Sequence, residues 1–540
     1  MTMTAGEPTS GTLRGGGVSP KVYERKASGL VRAASPLDVF GFNLVNGIPG
    51  IVAALVIMMV PAFYSGADPV LSSVFALLLA IPAVMLYAKL SAVFPRSGGD
   101  YIYISRLLSP PLGFAANLGI TAAVLFLVAQ GGVYLGGYGV GPLLRVAGIY
   151  WQSHSLVDAG NWCTTSLGTF LIGLALILVF FALFVWGGMR LFFRVQLFVI
   201  AMGTLAMVVL AVWALFASRT GALDNIAHNL AFVGGKSMAP LAHGKTPSFS
   251  LWATAKSVIW PFFAVTGAIF SAYIGGEVKR PARSQIIGMM AGVIWIALGL
   301  IIPTAAMMHL FGHPFFANLT MADPGTFGLQ STPTYVEVTA LGMGSGIWAV
   351  VLLVLFSSWG LALVGVSMAV TSRCMFAWSI DRIAPAWLAS VSQRWHSPYA
   401  TLIVAATVGA IFDVLFAWKW LTVLGATYGF DIAYFIAAIA AIVLPYRNRS
   451  LWLSSPARGR FLGVPTLVLW AVLVFPTVGF TVYLAATDPL AAISPIHNFG
   501  QFVLFPAIIL AGIVLYYVSR GVRRTQGIDL DLGFKEIPPE

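Results

Sequence analysis

Trp260-Pro-Phe-Phe-Ala-Val-Thr-Gly-Ala-Ile-Phe-Ser-Ala-Tyr-Ile-Gly-Gly-Glu-Val-Lys-Arg-Pro281 begins as an apolar helix and does not finish as one. At Val265-Thr266-Gly267 the glycine lets the backbone leave helical geometry. The segment resumes, stays apolar, and stops at the charged exit Glu277-Val-Lys-Arg-Pro281, which proline closes. Breaking a helix inside lipid frees N–H and C=O groups that lipid cannot satisfy, so such a break persists where it lines a cavity. A second break lies far upstream, at Asn46-Gly47-Ile48-Pro49-Gly50. One break alone is often only a packing kink, since Gly and Pro are common in membrane helices. Two breaks at corresponding places in two halves of a chain point to a binding site near the bilayer midplane.

The rest of the chain supports a membrane setting. Of 540 residues, 59% are hydrophobic and 9% charged, with mean hydropathy +0.89. Soluble domains carry about 25% charge. Twelve apolar runs are long enough to span, at roughly 17–25 residues each. The expected fold is therefore all-α and integral to the membrane, with about 12 transmembrane helices. The interrupted spans are the first and sixth, so each opens a run of five. Five is odd, which places the second run inverted relative to the first.

The net charge of +12 suggests nucleic acid at first sight. Its distribution argues otherwise. With the N-terminus placed inside, 24 of the 30 Lys and Arg residues fall on the inner side; the outer side keeps Arg145, Arg219, Lys236, Lys245, Lys256 and Lys419. This is a topology signal that puts both termini in the cytoplasm, with lipid rather than nucleic acid as the surrounding partner. Residues 1–36 are rich in Gly, Ser, Thr and Arg and read as a disordered tail; residues 519–540 read as a second cytoplasmic tail. Cys163 and Cys374 fall on opposite faces and cannot pair with each other. The four histidines of the long outer loops, His154, His228, His243 and His313, have irregular spacing. No metal site, cofactor or catalytic residue is expected from these patterns.

The connection after the second span contains Pro95-Arg-Ser-Gly-Gly-Asp-Tyr-Ile-Tyr103 and then Pro110-Pro-Leu-Gly-Phe114. It resembles the loop after the second span in permeases of the amino acid–polyamine–organocation (APC) superfamily. Phe263-Ala-Val-Thr-Gly267 with Glu277-Val-Lys-Arg-Pro281 resembles their sixth span. Thr371-Ser-Arg373, Asp381, Pro385 and Ser397-Pro398 resemble their eighth span and the loop behind it. The match runs in order from about Leu37 to Tyr517. It implies a transporter domain over 37–518, with inverted repeats 37–217 and 251–445 and two extra helices in 465–518.

The resemblance also implies where a substrate would bind. In this superfamily a substrate carboxylate meets N–H groups at the first break, and its ammonium meets carbonyls at the sixth. This chain departs from the usual Gly-Ser-Gly-Ile-Phe at the first break: Pro49 removes one donor, for which the Asn46 amide could compensate. The implied substrate-binding set is Asn46, Gly47, Ile48, Gly50, Phe263, Thr266, Gly267, Ile269, Phe270 and Trp359, with Phe262 as a further lining candidate. The position after Thr-Gly that is often Glu in the superfamily is Ile269, and neither break segment holds a carboxylate. A buried cation without a partner is costly. The pocket thus favours a neutral amino acid or related zwitterion.

Coupling has three candidates. Some proton-coupled relatives carry Lys in the fifth span, where this sequence places Gly203. Ser357 and Ser358 on the eighth span are candidates for sodium, and Asp431, in the middle of the tenth, for a proton. Uncoupled exchange is a further option. The expected function is secondary active transport across the plasma membrane, by symport or antiport. An amino-acid sensor of the same fold and a transporter for another amine or organic cation are the alternatives, and no enzymatic activity is expected.

Overall fold

The computed structural model describes residues 30–534, apart from 395, 421–424 and 492–498. Most of the expected N-terminal tail and the last six residues of the C-terminal one lie outside the described residues. Among the described residues, ten helices are long and apolar enough to cross a membrane, and the bent pair Leu251–Ser257 and Ile259–Tyr273 makes eleven. One of the ten, Ser166–Phe216, has 51 residues. Straight, it would run about 77 Å, more than twice the roughly 30 Å of a bilayer core. It is interrupted at Gly188, whose φ of 62° and ψ of −167° are not helical. Phe180 and Phe192, on either side of that turn, both pack against Gly365 of the eighth span. The run is thus two spans, the fourth and fifth, which brings the total to twelve.

The order is then Pro36–Phe63 (broken at Ile48), Pro69–Val93, Pro110–Tyr150, the pair within Ser166–Phe216, Leu251–Tyr273, Pro281–Leu310, Gly346–Ile380, Tyr399–Ala417, Gly425–Arg447, Thr466–Thr487 and Phe499–Thr525. The first span starts where sequence rules place it. Ser35 and Asp38 form a reciprocal capping box, with Pro36 at the first helical position.

Several connections are more ordered than the sequence suggests. The third span continues through a π-turn at Gly136–Val140 to Tyr150. The connections that the sequence reads as outer hold helices Arg219–Leu230, His313–Met321 and Tyr335–Gly342. The last span runs beyond Val518 to Thr525, and Leu530 and Phe534 of the expected tail are buried. Both cysteines are free and buried.

Candidate functional site

The first and sixth spans cross antiparallel at their breaks. Asn43 meets Ser271, Asn46 meets Gly267, and Gly47 approaches the Ala264 carbonyl. The two breaks are built differently, and neither follows the simple glycine rule. In the first span it is Ile48, not a glycine, that takes the left-handed conformation (φ 35°, ψ 54°). A β-branched residue there costs on the order of 1–3 kcal/mol and is held by its surroundings. Ile48 is fully buried. Its flanking glycines supply room. A Cβ on Gly47 would lie 2.6 Å from Ile296 and 2.9 Å from the Ala264 carbonyl oxygen; one on Gly50 would lie 2.6 Å from the Trp359 ring. Pro49 then opens the second half-helix. The Gly50 N–H has no acceptor among the described residues, as expected for a helix N-terminus.

In the sixth span the α-helix gives way to a 3₁₀ stretch, Gly267–Tyr273. Gly267 has an ordinary φ of −69°, so its backbone does not require glycine. The space does: a Cβ there would lie 1.8 Å from Asn46 Nδ2. The freed backbone is satisfied by amide side chains. Asn43 Oδ1 accepts from the Ser271 N–H (2.9 Å), and Gln285 Nε2 donates to the Ser271 carbonyl (3.0 Å). Ser271 Oγ joins them, accepting from Asn43 Nδ2 and donating to Gln285 Oε1. A break inside lipid needs this kind of internal satisfaction.

The residues expected from the sequence are not all equivalent. Asn46 is 7% exposed and its Oδ1 has no partner among the described residues. It is thus an amide pressed into the gap between the breaks with acceptor capacity to spare. The Thr266 hydroxyl donates to the Phe263 carbonyl (2.9 Å), and the Thr266 carbonyl accepts from Tyr434 (2.7 Å). Trp359 wedges between Gly50 and Gly203, with its Nε1 unpartnered among the described residues. The fifth-span position where some proton-coupled relatives carry Lys is therefore packed by an indole. Ile269 and Phe270 are fully buried, and Phe270 packs edge-on to Tyr273 and tilted against Phe430. Phe262 and Phe263 are buried beside them in sequence.

Among the coupling candidates, Ser357 donates to the Leu353 carbonyl and Ser358 to the Leu355 carbonyl, both at 2.7 Å. Both hydroxyl protons are spent on their own helix, a common fate for serine in membrane helices. Asp431 is 1% exposed, with Oδ1 unpartnered among the described residues. It precedes Tyr434 by three positions and so shares its helix face. That face reaches the sixth-span break through Tyr434.

Four residues that bear on the site escape a linear reading: Tyr335, Tyr434, Asn43 and Gln285. Tyr335, on the connecting helix Tyr335–Gly342, donates to the Gly50 carbonyl (3.1 Å). Two residues on, Glu337 receives both Nε and Nη2 of Arg145 at 2.8 Å, deep in the protein. On the other side of the site, Tyr101 and Arg106 both donate to Asp381 at 2.6 Å, and Arg373 pairs with Glu277 at 2.8 Å. Buried polar contacts thus flank the breaks on both sides.

A family model described as amino acid permease matches residues 39–514. The chain belongs to the amino acid permease family. That span takes in both breaks, every site candidate above and all twelve spans at least in part. Among curated proteins, the chain is 25% identical over 404 residues to an uncharacterized transporter of Mycobacterium bovis, covering 72% of this chain and 73% of that protein. An uncharacterized transporter of Mycobacterium tuberculosis matches with the same figures. A shorter stretch, 111 residues at 32% identity, is similar to an uncharacterized protein of Sulfolobus islandicus rod-shaped virus 1; it spans 20% of this chain and 26% of the viral protein. The chain is accordingly a multi-pass membrane permease with transporters among its relatives.

Proposed function

We propose that this permease is a secondary active transporter that moves a neutral amino acid or related zwitterion across the plasma membrane by alternating access. In this reading both termini are cytoplasmic, and spans one to five and six to ten form the inverted repeats. The observation that carries it is the antiparallel meeting of the two breaks, with the Asn46 amide held between them and its Oδ1 unpartnered among the described residues. Half-helix ends offer donors at one break and acceptors at the other, the arrangement that suits a molecule carrying both a carboxylate and an ammonium.

One observation favours a second reading, a substrate that is an amine or organic cation. Asp431 shares a helix face with Tyr434, which hydrogen-bonds the Thr266 carbonyl. A carboxylate so placed can receive an ammonium group or carry a coupling proton. Thermal-shift screening of the purified protein against amino acids and amines, followed by uptake in proteoliposomes, separates these. Stabilisation and flux with neutral amino acids support the first reading. A response confined to cationic amines, abolished in Asp431→Asn, supports the second. Binding without flux assigns a sensor. If neutral amino acids are carried, uptake by Asp431→Asn measured against pH tests coupling: a flattened profile assigns the proton to Asp431, and an unchanged one removes it from that role.

A further inference from the structure

The turn between the fourth and fifth spans borders a cavity of about 610 Å³ whose lining includes none of the residues at the helix breaks. Its lining includes Trp186, Arg190, Arg194, Glu277, Arg394 and His396. Arg190 and Arg194 are four apart on the helix that follows Gly188, so they present one face. Both are exposed, and neither has a carboxylate partner among the described residues. The acidic group in the lining, Glu277, is committed to Arg373 at 2.8 Å and is almost fully buried. The cavity is therefore strongly positive.

Its rim is apolar on the side of the span. Trp186 is 71% exposed and Leu191 is 41% exposed. Tryptophan favours the headgroup level of a bilayer. A positive cavity opening beside a headgroup-level Trp fits a ligand with an anionic head and a lipid body, and basic pockets between membrane helices bind such headgroups. We propose that this cavity binds the phosphate of an anionic phospholipid from the adjoining leaflet, held by Arg190 and Arg194. Guanidinium groups match phosphate through paired N–H donors. The site also touches the moving parts of a permease. Ala33 lines it, and the Ala33 and Ala34 N–H groups both donate to the Glu277 carbonyl at 2.9 Å, while Lys279 N–H donates to Ala34. A bound headgroup would brace the chain entering the first span against the exit of the sixth.

The test uses the full chain, delipidated in detergent. Short-chain phosphatidylglycerol, short-chain phosphatidylcholine and inorganic phosphate are titrated separately, with thermal unfolding as the readout. Three proteins are compared: wild type, R190Q/R194Q, and R458Q/R524Q, which removes the same charge from exposed positions outside the cavity. Phosphatidylglycerol is expected to stabilise wild type and R458Q/R524Q alike, and to bind R190Q/R194Q at least about tenfold more weakly. Retention of phosphatidylglycerol by wild type but not R190Q/R194Q, counted by native mass spectrometry after extraction from mixed vesicles, provides a second reading independent of unfolding. Equal responses in all three proteins, or none in wild type by either measure, would overturn the proposal. An equal response to inorganic phosphate, lost in R190Q/R194Q, would overturn the lipid assignment and make the cavity a site for a soluble anion.

Discussion

Gly267 and Asn46 form the tightest constraint in the site, and they constrain each other. The glycine is needed for space, since its φ is one any residue adopts. Replacing it with alanine puts a methyl group where Asn46 Nδ2 now sits. Gly267→Ala is expected to cut substrate affinity at least about tenfold, because core overpacking of this kind costs about 1–3 kcal/mol. N46G/G267A should restore folding stability toward wild type without restoring affinity, which unfolding curves and binding titrations would show together. If Gly267→Ala binds normally, the two breaks do not enclose the substrate. Both residues stood out in the sequence, but for a different physical reason. A break signal is local, whereas the contact that enforces glycine comes from a span more than 200 positions away. The same holds for Gly203 and Gly50, which accept the two sides of Trp359.

At the scale of elements, the spans were legible and the connections were not. Long apolar runs announce themselves by composition. The gap between the fourth and fifth apolar runs is legible, but not that a single residue, Gly188, makes the turn and helix resumes at once. The connecting helix Tyr335–Gly342 hides because its stability comes from tertiary partners. Tyr150 donates to the Ala340 carbonyl and Asn229 to that of Leu341 at its C-terminal end, while Arg145 holds Glu337 near its start. Removing one member of a buried pair leaves an uncompensated charge, so Arg145→Met should cost about 3–5 kcal/mol. R145M/E337L should recover most of it, because a well-packed apolar pair often equals a buried ionic one. A double variant no more stable than the single would mean that the helix depends on the pair itself.

The connecting helix Asp100–Leu107 gives a second prediction at this scale. Asp100 is fully buried; it accepts from Asn117 at 2.6 Å and lies 3.5 Å from the Tyr87 hydroxyl. Burial pushes its carboxyl up to about 7, against the lowering effect of the Asn117 amide. A raised carboxyl favours the folded state while protonated. Its contribution is fully present below the ordinary aspartate value of about 4 and is lost as pH rises toward 7. Wild type should therefore lose stability across that window, at up to about 1.4 kcal/mol per pH unit for one proton. Asp100→Asn, which keeps an oxygen for Asn117, should lose less. Tm measured against pH for both proteins checks this, and identical slopes would show that Asp100 stays ionised.

For the whole molecule, the question is whether the two closures alternate. In the proposed topology, the outer closure rests on Tyr335 at the Gly50 carbonyl and the inner on Tyr101 and Arg106 at Asp381. Cys374 reports on the inner one. It is fully buried near the inner end of the eighth span, with its sulfur 3.6 Å from Asn117 Nδ2. In a Cys163→Ser background, a membrane-permeant maleimide should label it slowly. Asp381→Asn weakens the inner closure and should raise the rate. Tyr335→Phe deletes only the outer hydrogen bond, worth about 0.5–1.5 kcal/mol, and so shifts a two-state equilibrium by roughly two- to tenfold. If opening one face requires closing the other, Tyr335→Phe must lower Cys374 labelling by about that factor, although the two residues lie on opposite sides of the breaks. Local loosening predicts the reverse, with both substitutions leaving labelling unchanged or faster. A rise in Tyr335→Phe would mean that the closures open independently, and alternating access would then fail for this chain.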